Sequence, residues 1–121
     1  MALKPSYNDK LHLPGLSKTE ILILALEASQ KLEWNIEEVT PEGARFEVPF
    51  NMYSHGEEIT FTIEPGSDGE VAVRSQSSSV QFVDYGKNRK NIQKLRETME
   101  EIKTSLTPEE LAQKAKDFEE E

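Results

Sequence analysis

The sequence contains the residue types of a nucleophilic catalytic triad, but their spacing matches no known triad. Ser54 and His55 are adjacent, and Asp84 lies far from both along the chain. In a triad, a histidine takes the proton of the serine hydroxyl while an acid orients the histidine, and several families mark the serine with a glycine-flanked turn. No such context surrounds Ser54. We therefore interpret His55 as a solvent-exposed loop histidine, and we predict that the protein is not an enzyme.

Paired carboxylates are the second group of residues that could do chemistry. Adjacent glutamates occur at 37–38, 57–58, 100–101 and 109–110. Neighbouring side chains point to opposite faces of a strand and diverge by about 100° around a helix, so the two carboxylates of a pair do not converge on one atom. We interpret these pairs as solvated faces and helix caps. Zinc, EF-hand, P-loop and dinucleotide motifs are not present either, so we predict no metal and no cofactor.

The segment from Asp84 to Asn91 is the best candidate for a binding site. Between Tyr85 and Arg96 the chain has five basic residues and no acidic one, although its net charge is −9. A glycine before a helix N-terminus, backbone N–H groups and flanking cations together can hold a phosphate or a carboxylate. The predicted binding residues are Arg74, Asp84, Gly86, Lys87, Asn88, Arg89 and Lys90.

The same segment has a structural interpretation. Asp84 would cap the helix, Gly86 would adopt a positive φ, and Asn88 would hold the loop through hydrogen bonds from its side chain to the backbone. Because the helix dipole disfavours cations at an N-terminus, we favour this structural interpretation over anion binding. Both hypotheses stay open at this point.

Composition limits the classes of protein to consider. A chain of 121 residues fits one domain, and the lack of cysteine rules out disulfides and cysteine-based zinc sites. The net charge of −9 repels the phosphates of nucleic acids, so we expect no nucleic-acid partner. The longest apolar run, Ile21–Leu26, is short of the roughly twenty residues that span a bilayer, and the N-terminus does not resemble a signal peptide. We expect a cytoplasmic protein that is not inserted in a membrane.

The elements that position these residues follow from periodicity. Residues 1–16 contain two prolines and little periodicity, so we predict an irregular N-terminal arm. Ser17 and Glu20 form a capping box before a helix of about residues 18–33, and Thr107 and Glu110 form another before the last helix. Strand-like alternation follows in four segments, with apolar side chains on one parity, and two further helices complete the chain. In the last strand, Ser75 and Ser77 continue the apolar parity in polar form, which suggests that the buried face fades towards the rim.

The predicted fold is α+β with two layers. Residues 17–121 form a single domain of order αββββαα, in which short turns favour a four-stranded antiparallel meander. One apolar face per strand indicates that the helices cover one face of the sheet and leave the other in water. The expected core contains Leu24, Ala28, Phe46, Phe61, Val73, Leu95 and Met99.

Four segments of the chain have a recognisable pattern: Trp34–Ile36, Gly56–Thr60, Val83–Ile92 and Leu106–Leu111. The most specific part is Asp-x-Gly-Lys-Asn-x-Lys-Asn, at residues 84–91. Over roughly Ser17 to Phe118, the chain resembles the small soluble domain attached to certain bacterial rhomboid-type intramembrane proteases, and also its stand-alone relatives without a known activity. A shorter similarity, Ser-x-Ser followed by Asp-x-Gly-x-Asn-Arg, is to another family of uncharacterised small bacterial proteins.

The resemblance implies an accessory domain and not the protease itself. The leading functional hypothesis is therefore a non-enzymatic protein-interaction or regulatory domain, with a protein as its partner. The alternative is a domain that binds a small anion or another ligand through the loop at residues 84–91.

Overall fold

The structure, a computed structural model, describes residues 5–49, 56–78 and 86–120. The described residues contain three helices and five strands. The helices are α1 (Lys18–Lys31), α2 (Lys87–Ser105) and α3 (Pro108–Glu119). The strands are β1 (Ser6–His12), β2 (Asn35–Thr40), β3 (Gly43–Val48), β4 (Glu57–Ile63) and β5 (Glu70–Ser77). The order along the chain is βαββββαα.

The strands form one antiparallel sheet in the order β1-β5-β4-β3-β2. The predicted α+β class and antiparallel pairing are confirmed, but the prediction of four strands is wrong. Ser6–His12 lies in the segment predicted to be an irregular arm, and it pairs with β5 from Ser6↔Gln76 to His12↔Glu70. Only Leu11 of β1 is a buried apolar residue, so the local pattern is weak and the strand depends on a partner about sixty residues away.

The hydrophobic core lies between one face of the sheet and the helices. α1 contacts β2 and β3, α2 contacts β1 and β5, and α3 packs against α1. Each of the seven residues predicted to form the core is buried, which confirms the assignment of strand faces and helix stripes: Leu24, Ala28, Phe46, Phe61, Val73, Leu95 and Met99.

Two helices begin at the residues where capping boxes are expected. Ser17 Oγ accepts a hydrogen bond from Glu20 N, and Glu20 Oε1 accepts one from Ser17 N. Thr107 and Glu110 make the same reciprocal bonds before α3. None of the helices in the described ranges is both long and apolar enough to cross a membrane.

Candidate functional site

The first candidate region is the beginning of α2, where the sequence predicts a binding loop. Gly86 precedes the helix with a φ of 76°, which confirms the prediction of a positive φ at this glycine. Asp84 lies outside the described residues, so its role as a cap stays a prediction. The structure places Asn88 on the inner side of α2, fully buried against the end of β5.

Asn88 connects three segments that are distant in sequence. Its Oδ1 accepts a hydrogen bond of 2.7 Å from Ser75 Oγ, and its Nδ2 donates to Ser77 Oγ at 3.2 Å and to the carbonyl oxygen of Pro5 at 3.1 Å. Ser75 and Ser77 are themselves buried. The inner face of β5 therefore does not fade towards solvent, because α2 covers its polar end with matching polar groups.

A buried glutamate extends this polar cluster to β4. Glu57 is 2% exposed, and its Oε1 accepts a hydrogen bond of 2.9 Å from Asn91 Nδ2. Glu57 was predicted to lie on a solvated face, and that prediction is wrong. The sequence did contain an indication of this burial, because Glu57 lies on the same face of β4 as the buried residues Ile59 and Phe61. The prediction that the side chains of Glu57 and Glu58 point in different directions is confirmed, because Glu58 is exposed on the opposite face of the sheet.

The structure describes six of the seven predicted binding residues, all except Asp84, and it does not bring these six together. Lys87 is half-buried and Lys90 is exposed, whereas Arg89 lies about 160° around the helix from Lys87. The charge of Arg89 instead acts on Asp9 of β1. Arg74 lies on the other face of the sheet, since its neighbours Val73 and Ser75 are the residues of β5 that face the helices.

Asp9 and Arg96 join β1 to α2. Arg96 Nη2 donates a hydrogen bond of 2.7 Å to Asp9 Oδ2, and the backbone N–H of Lys10 donates to Asp9 Oδ1 at 2.8 Å. These two hydrogen bonds and the charges of Arg96 and Arg89 lower the pKa of Asp9 below its ordinary value, against an opposing effect of desolvation. The contact holds the extra edge strand beneath the helix.

The lowered pKa of Asp9 gives a testable dependence of stability on pH. Because the folded state lowers this pKa below 3.8, the stabilisation is fully present above the unfolded pKa and is lost as the pH falls through the folded one. Both side chains are more than a third exposed, so we expect Asp9→Asn to cost about 1 kcal/mol or less near neutral pH. In urea denaturation, the difference from wild type should shrink between about pH 4 and about pH 2.

Glu119→Gln, at an exposed position near the end of α3, is the matched control for this measurement. Its difference from wild type should not follow the pH dependence of the Asp9 variant. An Asp9→Asn difference that stays constant through the acid range would contradict the stabilising role of the ionised carboxylate.

The second candidate region is the face of the sheet that the helices do not cover, here called the open face. The register places its side chains in rows across the strands. One row contains Asn8, Arg74, Thr60 and Arg45, and the next contains Lys10, Ala72, Thr62 and Gly43. The open face is therefore polar, with small residues in its centre.

Two adjoining depressions lie on the open face. The larger, of about 390 Å³, is lined by residues of β1, β4 and β5 that include Lys10, Ala72 and Arg74. The smaller, of about 220 Å³, is lined by residues of β2, β3, β4 and the β2–β3 turn, and its charged residues are Arg45, Glu38, Glu42 and Glu58. Thr60 and Thr62 line both depressions, so the two adjoin at β4, and together they are here called the groove.

The charged groups around this groove differ in how they are paired. Lys10 Nζ lies 3.3 Å from Glu64 Oε1, and His12 Nε2 lies 3.6 Å from Glu70 Oε1. Arg74, in contrast, pairs with β1 and β4 through its backbone, but its side chain makes no hydrogen bond or ion pair with another residue of the described ranges. The sequence singled out Arg74 as a binding residue, but it did not show that Arg74 shares a surface with Lys10 and Arg45 and not with α2.

The chain matches a known protein family. Residues 5–99 match a family described as "Protein of unknown function (DUF1499)". The matched region contains all five strands and most of α2, and it therefore includes both candidate regions. No curated protein matches the chain.

Proposed function

The chain belongs to the DUF1499 family, whose function is unknown, and we propose that it is a non-enzymatic domain that binds a segment of a partner protein on the open face of its sheet. One observation carries this proposal. The helices of the described region cover only one face of the sheet, and the groove lies on the other face. Because the described helices leave this face open, the groove provides a surface on which a partner can bind.

The character of the groove favours a protein partner. Pockets for small organic ligands are mostly lined by apolar and aromatic groups, whereas five of the eight residues that line the larger depression are threonines or charged residues and none of the eight is aromatic. Protein interfaces include polar surfaces of this kind. A net charge of −9 opposes binding to nucleic acids, which leaves a polar protein segment as the best-matched occupant.

A small-anion site at residues 84–91 has weaker support. Asn88 already bonds three protein groups, and the cations of the segment point in different directions around α2. The resemblance to domains attached to rhomboid-type proteases stays a prediction. It is consistent with a domain whose role is to bind another protein.

Photo-crosslinking tests the proposed surface directly. A photoreactive amino acid at position 62, in the floor of the groove, should form an adduct with a specific protein in the cells that produce the domain. The same amino acid at position 93, on the exposed side of α2, is the matched control and should not form that adduct. The captured protein is then identified, purified and tested for direct binding to the unmodified domain.

A variant that fills the groove completes the test. Thr62→Trp places a large side chain between the two depressions while leaving the helix-covered face intact, and it should abolish binding of the purified partner. Adducts that are equal at positions 62 and 93, or binding that survives Thr62→Trp in a folded variant, would rule out the open face as the docking surface.

A further inference from the structure

We propose that Asp9 and Arg96 mask the free backbone edge of β1 and so keep this strand from pairing with β1 of a second copy of the domain. A strand at the edge of a sheet presents unpaired N–H and C=O groups, on which another chain can add a strand. β1 is such an edge, because it ends the strand order and β5 is its one neighbour among the described strands. The hydrogen bonds between β1 and β5 determine which backbone groups of β1 face outwards.

Two of these hydrogen bonds identify the outward-facing groups. Ser77 N donates to the carbonyl oxygen of Pro5 at 2.9 Å, and Leu13 N donates to that of Gly69 at 2.8 Å. Between these two bonds the register is continuous, and in an antiparallel ladder every second residue bonds a given neighbouring strand. The residues of β1 whose backbone groups point away from β5 are therefore the alternate ones: Ser6, Asn8, Lys10 and His12.

At Lys10, side chains occupy both outward-facing backbone groups. Its N–H donates to Asp9 Oδ1 at 2.8 Å, and its carbonyl oxygen accepts a longer hydrogen bond of 3.4 Å from Arg96 Nη2. The same nitrogen of Arg96 donates to Asp9 Oδ2 at 2.7 Å, so the two side chains form one bridge along the edge. An added antiparallel strand would need the N–H and the C=O of Lys10, and it would have to displace this bridge.

The bridge divides the edge into two short parts. Ser6 and Asn8 remain on one side of Lys10, and His12 remains on the other. Strands in globular proteins usually have about three to ten residues, and two outward-facing residues correspond to a stretch of only about three. Masking at Lys10 therefore removes the part of the edge that a longer added strand needs.

β2, the opposite edge of the sheet, is protected in a different way. All six of its residues are exposed, and the register shift between Ile36 and Glu38 marks a bulge. Bulges and charged side chains are common protections of edge strands, and β2 has both, since Glu37 and Glu38 lie at the bulge. β1 pairs in unbroken register over seven residues, so its protection has to come from side chains that bond its edge.

The double substitution Asp9→Ala/Arg96→Ala removes the bridge. In sedimentation velocity, wild type should be monomeric, and this variant should form a dimer as its concentration rises to the millimolar range. Physiological ionic strength screens the repulsion between two copies of charge −9. Glu27→Ala/Lys114→Ala is the matched control, because it removes an ion pair of similar exposure between α1 and α3, and it should stay monomeric.

A proline at position 10 tests whether the dimer forms through β1. Because the N–H of Lys10 points away from β5, Lys10→Pro removes the outward donor without removing a hydrogen bond of the sheet. Added to the double variant, Lys10→Pro should restore the monomer. Lys10→Ala loses the same side chain but keeps the N–H, so it should leave the dimer in place.

Hydrogen exchange of Asp9→Ala at low concentration measures the mask without any association, and it decides the question even where the double variant does not fold. The exchange of the Lys10 amide should accelerate by about tenfold relative to wild type. Asp9→Asn, whose amide oxygen can still accept this hydrogen bond, should change it less.

Four results would overturn the masking role. They are a wild-type dimer that Lys10→Pro dissociates, a folded double variant that stays monomeric at millimolar concentration, a dimer of the double variant that survives Lys10→Pro, and Lys10 exchange that is unchanged in Asp9→Ala.

Discussion

Replacing Phe61 with alanine should lower the free energy of unfolding by about 3 to 5 kcal/mol. Phe61 is 1% exposed and lies in β4, between Ala44 of β3 and Val73 of β5. The truncation removes the favourable transfer of the ring out of water and leaves a cavity in the sheet of the described region. Because β4 is paired with a strand on each side, the surrounding residues can move only a little to fill this cavity. Urea denaturation measures the loss of unfolding free energy, and an unchanged slope of that free energy against urea concentration would show that the comparison between variants is valid.

Thr60→Ala is the matched control for this substitution. Thr60 is the preceding residue of the same strand, but its side chain is exposed on the open face, so its truncation should change stability by about 0.5 kcal/mol or less. A cost below about 1 kcal/mol for Phe61→Ala would contradict the assignment of the buried face of β4.

Replacing Asn88 with leucine should cost about 2 to 4 kcal/mol, the second largest effect that we expect. Leucine has a similar volume but cannot bond Ser75, Ser77 or the carbonyl oxygen of Pro5. These groups are buried or partly buried, and each buried polar group left unsatisfied costs about 1 to 3 kcal/mol. Loss of the Pro5 contact should also loosen the start of β1, which hydrogen exchange of the β1 amides would detect.

Gln93→Leu, at an exposed position of α2, controls for the change in helix propensity and hydrophobicity. It should leave stability within about 0.5 kcal/mol of wild type. If Asn88 were instead a residue that binds a ligand, Asn88→Leu would retain nearly full stability, and this result would contradict the structural role of its side chain.

The sequence by itself determined the elements that depend on neighbours along the chain. The capping boxes at Ser17 and Thr107 are local hydrogen-bonding patterns, so the starts of α1 and α3 were predictable. The alternation of Ile59, Phe61 and Ile63 identified the inner face of β4, because side chains on a strand alternate with a period of two. These patterns were sufficient for the α+β class and most of the core.

Only the tertiary structure decided which polar residues are buried. Ser75, Ser77 and Glu57 have the inward parity of their strands, but polarity alone favoured solvent exposure. Their burial is stable because Asn88 and Asn91 supply hydrogen bonds from α2, a helix that packs against the sheet from elsewhere in the chain. A local pattern contains no information about such distant partners.

For the candidate site, too, the tertiary structure decided what the sequence pattern could not. Clustering along the chain grouped Arg74 with the cations of α2, whereas the sheet separates Arg74 from Lys87, Arg89 and Lys90 and places it in a row with Arg45. That row exists only after β1, β5, β4 and β3 have paired in register. Cross-strand register is set by contacts between segments distant in sequence, and for this reason the groove is a property of the folded sheet and not of any one segment.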